Sequence, residues 1–245
     1  MLLKTHIMKL SEHIYHIKEI LSKGLPSDDF RLSNRHCYFI IKYIRAELIK
    51  QKLDTGRKVS PFNYQSIPCY KLEYKPITDC TCYTTDCKAL QGVCNLPNII
   101  TDSSATSGLA IEGVWNIGLN QKYNYTSIDK LRNYKYTRTK KDSKTYFIHP
   151  NSTGQTLFVQ DEPQLEVVFI KAIFEDPMVI SELDCGACSK EDGSSCYDPL
   201  NDDFPMDASM VRVMYKMAYE ELLGIMMKMP NDGSNNAQDI NLNGK

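Results

Sequence analysis

The stretch Ser33-Asn34-Arg35-His36-Cys37-Tyr38-Phe39-Ile40-Ile41-Lys42-Tyr43-Ile44-Arg45-Ala46-Glu47-Leu48 decides the fold. Cys37, Ile41, Ile44 and Leu48 recur at helical spacing, and Ile40 widens the stripe. The helix is expected to start near Ser33 and to stop before Gly56. Lys42, Arg45, Glu47 and Lys50 are expected on the solvent side. Upstream, Leu10, Ile14, Ile17 and Leu21 form a second stripe with the same period. Ser11 is its predicted cap, and Gly24 follows its end. The turn Leu25-Pro26-Ser27-Asp28-Asp29 separates the two, so a helical hairpin is expected over 10–53. Two helices bury too little by themselves, so a third element must cover the seam.

The far end of the chain supplies that element. Pro205 and Asp207 precede a strong helical pattern at 208–228, with Val211, Met214, Ala218, Leu222 and Ile225 as its apolar face. Pro230 ends it. Seven of the ten methionines lie between Met206 and Met229. Methionine suits irregular packing surfaces, and ordinary core is the preferred reading of most of them.

Between these helices the chain changes character. Prolines, glycines, cysteines and tyrosines punctuate short apolar runs, and strands are predicted at 70–74, 110–117, 145–149, 156–159 and 165–174. Asn151-Ser152-Thr153-Gly154 reads as a hairpin turn, and residues 127–131 as a single helical turn. The expected class is therefore α+β. N- and C-terminal helices (1–56 and 205–230) form a helical bundle. A β-rich, sandwich- or barrel-like domain (57–204) is inserted between them, and 231–245 is an extended arm. That arm is rich in Asn, Asp and Gly. Its only apolar residues are Ala237, Ile240 and Leu242, so it is expected to contact another chain rather than its own core.

The 245 residues carry a formal net charge of -1, with 42% hydrophobic and 24% charged residues. Bulk attraction to nucleic acid or to an anionic membrane is not supported. The longest apolar run, Glu166-Val167-Val168-Phe169-Ile170-Lys171-Ala172-Ile173-Phe174, is short and carries Lys171, so no membrane partner is expected. The start of the chain has no apolar signal region, so no secretion is expected. The charge is sorted all the same. Residues 130–144 hold seven bases against Asp142, and 175–207 hold ten acids against Lys190. Two solvated loops would explain this. Complementary patches on neighbouring subunits explain it better, because a head-to-tail ring sets one surface against a different one.

No phosphate-binding loop, nucleophile elbow, zinc-protease helix or dinucleotide fingerprint occurs, so no enzyme, catalytic residue or cofactor is expected. His6, His13 and His16 precede or lie on the first helix, where a solvated face accounts for them. Nine cysteines form the one chemical signal. Cys80, Cys82, Cys87 and Cys94 make one cluster, with Cys69 upstream, and Cys185, Cys188 and Cys196 make another. A tetrahedral zinc needs four ligands. The second cluster offers three, and the first spacing matches no common zinc module. Free thiols in a reducing compartment are preferred, with no bound metal. The alternative is a zinc-stabilised binding module.

Three patches carry a family resemblance. The segment 39–49 resembles the opening of head–tail connector proteins of crAss-like phages, known as adaptor, ring or tail-tubular-type proteins. The run ending Ala172-Ile173-Phe174-Glu175-Asp176-Pro177 resembles their late strand and its exit. Phe204-Pro205 before a helix, followed by Pro230-Asn231-Asp232-Gly233, resembles their C-terminal helix and polar arm. The resemblance implies a structural virion protein made in the host cytoplasm. It implies a homo-oligomeric ring, commonly a dodecamer, that partners the portal protein and neighbouring connector or tail rings. It also implies a channel for double-stranded DNA without sequence recognition.

Overall fold

The computed structural model describes residues 8–22, 32–76, 88–127, 130, 144–151, 154–160, 164–183, 200–201 and 203–228. Helix α1 spans Leu10–Leu21 and α2 spans Asn34–Asp54. A 3-10 turn at Pro61–Asn63 leads into seven strands: β1 (Gln65–Pro76), β2 (Lys88–Gly92), β3 (Ile111–Asn116), β4 (Lys122–Tyr125), β5 (Thr145–Asn151), β6 (Gly154–Gln160) and β7 (Val167–Ala172). A short helix α3 (Val179–Glu182) and the long α4 (Ala208–Lys228) follow. The fold is mixed α+β.

The strands close into a barrel in the order β1-β2-β6-β5-β4-β3-β7. Only β4 and β5 run parallel; every other neighbouring pair is antiparallel. β1 makes the closure possible. Its first half pairs with β7 (Ser66 opposite Lys171) and its second half with β2 (Tyr74 opposite Leu90). The register shifts between Ile67 and Tyr70, where Pro68 lacks a donor and the strand bends. Inward-facing residues alternate along β7, where Val168, Ile170 and Ala172 are buried. They meet Ile67, Tyr70, Leu72, Val114, Tyr123, Leu157 and Val159, which fill the small barrel with side chains.

The strands predicted at 70–74, 110–117, 145–149, 156–159 and 165–174 correspond to β1, β3, β5, β6 and β7. The turn after Asn151 is a hairpin, with Asn151 opposite Gly154. β2 and β4 carry no recognisable strand signal. Lys-Ala-Leu-Gln-Gly and Lys-Tyr-Asn-Tyr are too short and too polar to show a period of two.

The helices share a second core. α2 meets α4 most extensively, and α1 touches both. Leu10, Ile14 and Ile17 of α1 join Cys37, Ile41, Ile44 and Ile49 of α2 and Met210, Met214, Ala218 and Leu222 of α4. Each of the leucine, isoleucine and methionine side chains among them contributes about 1.5–3 kcal/mol by leaving water. The cluster also takes in Ile100, Ala110 and Ile173 from the middle of the chain, so helices and barrel adjoin through shared packing.

Three local expectations change. Helix α1 is capped two residues earlier than Ser11: Lys9 is the cap residue, and its N–H donates to Glu12 Oε2 at 2.9 Å. His13 is not on a solvated face but buried, at 1% exposure. Arg45, expected in solvent, is fully buried. The reason is common to both histidine and arginine. A helix held between two neighbours buries more than one stripe, and Ile41, Arg45 and Ile49 form a second line at i, i+4 and i+8. The start near Ser33 is as expected, and the structure shows Ser33 capping α2, its Oγ accepting the His36 N–H at 3.3 Å. Gly56, at φ 67°, closes its C-terminal end.

Candidate interaction surfaces

Arg45 fixes how the helices sit on the barrel. Its Nε donates to the Pro205 carbonyl at 2.7 Å, Nη1 to that of Phe174 at 2.8 Å, and Nη2 to that of Asn63 at 3.1 Å. Five donors in a rigid fork suit a site where three chain segments converge. The guanidinium carbon also lies 5.8 Å from the Phe204 ring centroid. Asn63 extends the junction by accepting the Asp207 N–H at 3.0 Å, and Asp207 Oδ1 accepts the Ser209 N–H at 2.9 Å to start α4.

One turn away on α2, Lys42 pairs with Asp176 at 2.6 Å. Tyr38 Oη also donates to Asp176, and the Met178 N–H reaches the same carboxylate at 3.0 Å. Burial pushes the Asp176 pKa up, but the Lys42, Tyr38 and Met178 hydrogen bonds outweigh it and hold the group below the usual carboxylate value.

Beside this ion pair a groove of about 810 Å³ separates α2 from the segment 95–101 and the exit of β7. Phe39 and Tyr43 stand on its helical wall at 60% and 59% exposure, and Leu96, Pro97 and Val179 lie across from them. Phe39 and Tyr43 are four residues apart and so share one face. A second exposed apolar pair sits in the β3–β4 turn, where Ile117 and Leu119 are 64% and 57% exposed.

The charged stretches are placed only in part. Lys130 and Lys144 are described, and 131–143 lie outside the described residues. Of the acids, Asp176 and Asp207 are engaged within the protomer, Glu175 and Asp203 are exposed, and 184–199 lie outside the described residues. The helical turn expected at 127–131 and the arm at 231–245 lie largely or wholly outside them as well.

The cysteines divide. Cys37 is buried and free, and burial pushes its thiol pKa up. Cys69 is half-buried and free. Cys94 is disulfide-bonded, and neither Cys37 nor Cys69 is its partner. The expectation of free thiols throughout fails at this residue. Cys80, Cys82, Cys87, Cys185, Cys188 and Cys196 lie outside the described residues. Among the described residues, no three His, Cys, Asp or Glu side chains cluster closely enough to hold a metal ion. No described helix is long and apolar enough to cross a membrane.

A closed barrel, a helical layer bolted to it by a buried arginine, and exposed apolar pairs at separate places define an α+β assembly component. The chain belongs to the family of phage tail ring protein 2 of crAss-type phages, which it matches over residues 12–241. It is a structural ring protein of a phage tail and a component of the virion. No curated protein matches the chain.

Proposed function

We propose that this chain is a non-enzymatic subunit of a head–tail connector ring between portal and tail. Copies of it, twelve in the preferred count, close around a channel through which double-stranded DNA passes without sequence recognition. The observation that carries this reading is the extent of the family match, which takes in most of α1, and all of α2, the barrel and α4. The near-neutral charge suits a conduit, since a strongly basic wall would hold the DNA backbone instead of letting it pass. The helical layer, proposed as a domain of 1–56 and 205–230, and the polar arm 231–245 face the portal or the next ring. The barrel region, 57–204, is the second domain. Zinc is not part of this reading, because a disulfide-bonded Cys94 offers no thiolate to the first cysteine cluster.

The sorted charges serve the ring in this proposal. Reversing Arg138, Lys140 and Lys141 to glutamate is expected to block ring formation, with partial rescue by lysines placed in the 175–207 stretch. Deleting 231–245 is expected to leave folding intact and weaken assembly. The deciding experiment is electron microscopy of intact virions with this chain tagged. Density between portal and tail, in a closed ring, is the expected result. A position elsewhere on the particle, or rings that form normally while DNA ejection alone fails in the charge-reversal mutant, contradicts the connector or the charge assignment respectively.

A further inference from the structure

Two of the exposed apolar features, the aromatic wall of the α2 groove and the β3–β4 turn, lie at opposite ends of the barrel. Along the β3–β7 ladder, Ile111 is opposite Ala172 and Asn116 is opposite Val168. The chain leaves β7 after Ala172 directly into the groove residues, and Glu175 N–H donates to the Asn98 carbonyl at 2.9 Å there. Gln155 accepts the Leu96 N–H at 2.7 Å, which brings the start of β6 to the same end. The β3–β4 turn, following Asn116, is therefore at the other end.

That turn is built to project its side chains. Leu119 has φ 55°, a left-handed conformation that residues other than glycine rarely adopt. Hydrogen bonds hold it there. Leu119 N–H donates to the Asn116 carbonyl at 3.0 Å, Asn116 Nδ2 to Asn120 Oδ1 at 2.7 Å, and Gln121 N–H to Asn116 Oδ1 at 3.2 Å. Glycine stands at 118, next to the strained position, yet leucine occupies 119. The result is a fixed, uncharged tip with two aliphatic side chains in water.

We infer that the β3–β4 tip of one copy, through Ile117 and Leu119, docks into the α2 groove of the next copy, against Phe39 and Tyr43. This inference rests on the ring reading above and names the contact that would close the ring. A ring needs two different, mutually complementary surfaces on each subunit, placed apart on the molecule. The tip carries no charge, and the charges lining the groove are of both signs: Lys42 pairs with Asp176, and Lys50 stands with Glu47 and Glu175. The groove therefore offers the Phe39 and Tyr43 rings among charges of both signs, and a neutral apolar knob meets no field of a single sign there. Amide side chains rim both parts: Asn116 and Asn120 on the tip, Asn95 and Asn98 on the groove. Of these residues, Tyr43 is of the type that most often anchors such a contact.

The test uses the purified full-length protein, its mass distribution measured across concentration by mass photometry. The variants are Leu119→Asp, Tyr43→Asp and Leu119→Gly. The two aspartates are expected to weaken oligomerisation at least tenfold while melting as the wild type does. Leu119→Gly removes both the knob and the strain, so its protomer is expected to melt no lower than wild type while its assembly weakens. Oxidation of the double variant Leu119→Cys, Tyr43→Cys is expected to give a crosslink between copies that joins those two tryptic peptides. If the wild type forms rings and all three variants do too, the tip-in-groove contact is wrong and the ring reading stands. If Tyr43→Asp assembles but no longer attaches to portal, the groove receives another protein and the inference is overturned. If the wild type stays monomeric at every concentration, the ring reading of the isolated chain and this inference both fall.

Discussion

Arg45 Nη1 donates to the backbone carbonyl of Phe174 at 2.8 Å, tying the middle of α2 to the residues just beyond β7. The same guanidinium holds the carbonyls of Asn63 and Pro205. Arg45→Met keeps the volume but leaves three carbonyls to find other donors. We expect a loss of about 3 kcal/mol or more, from the cost of unsatisfied buried groups. Arg45→Lys is expected to recover only part of it, because one ammonium cannot span three acceptors. Urea denaturation of the two variants checks this. A loss below about 1 kcal/mol for Arg45→Met would show that the junction does not depend on this side chain.

His13 gives stability a pH dependence. Its Nδ1 shares a hydrogen bond with Tyr215 Oη at 2.7 Å, and its ring meets Phe204 edge-on with centroids 5.4 Å apart. Burial lowers its pKa to about 4, against a partial upward pull from Glu12, while His16 adds to the lowering. Above the ordinary histidine value near 6.5 the group is neutral in both folded and unfolded chains, and there is no penalty. As pH falls from 6.5 to 4 the unfolded chain binds the proton first, so folding stability is lost across that window, by up to roughly 3 kcal/mol. The difference in unfolding free energy between wild type and His13→Gln should therefore shrink between pH 7.5 and pH 4.5. A constant difference would mean that His13 ionises normally.

Two glycines are expected to respond in opposite directions. A Cβ on Gly92 would collide with Tyr70 Oη and lie 2.6 Å from the ring carbons Cε1 and Cζ. Tyr70 cannot yield, because it is fully buried and its hydroxyl donates to the Cys94 carbonyl. Gly92→Ala should cost about 2 kcal/mol or more by overpacking. Gly224, within α4, has nothing within 4 Å of its added Cβ. There alanine should stabilise by about 0.5–1 kcal/mol. Melting temperatures of the two variants on either side of wild type would confirm the assignment, and two downward shifts would refute it for α4.

Alkylation of the native protein without reductant should leave Cys94 unmodified, with Cys37 reacting only after unfolding. We expect substoichiometric zinc by elemental analysis and no change in melting on chelation. One zinc per chain, lost together with the fold, would reinstate the zinc-module alternative.

The long periodic segments were legible. α1, α2, α4 and the five longer strands all announce themselves by a repeat of 3.6 or 2. What escaped was set by tertiary neighbours. Nothing local distinguishes Arg45 from the solvent-side Lys50, because its burial depends on Asn63, Phe174 and Pro205 converging from distant parts of the chain. His13 escaped for the same reason, its partner Tyr215 lying 202 residues away. β4 exists because β3 and β5 flank it, not because Lys-Tyr-Asn-Tyr prefers to be extended. The exposed pair Ile117 and Leu119 had a signal in hindsight. Two aliphatic residues inside the turn Asn116-Ile117-Gly118-Leu119-Asn120 are out of place where polar residues are usual.

The double pairing of β1, with β7 by one half and β2 by the other, has a consequence for how copies meet. Among the described strands none stands at the edge of the sheet, the position from which neighbouring subunits extend a common sheet into fibres. Contact between copies falls to side chains whose shapes must match, so growth can stop when a circle is complete.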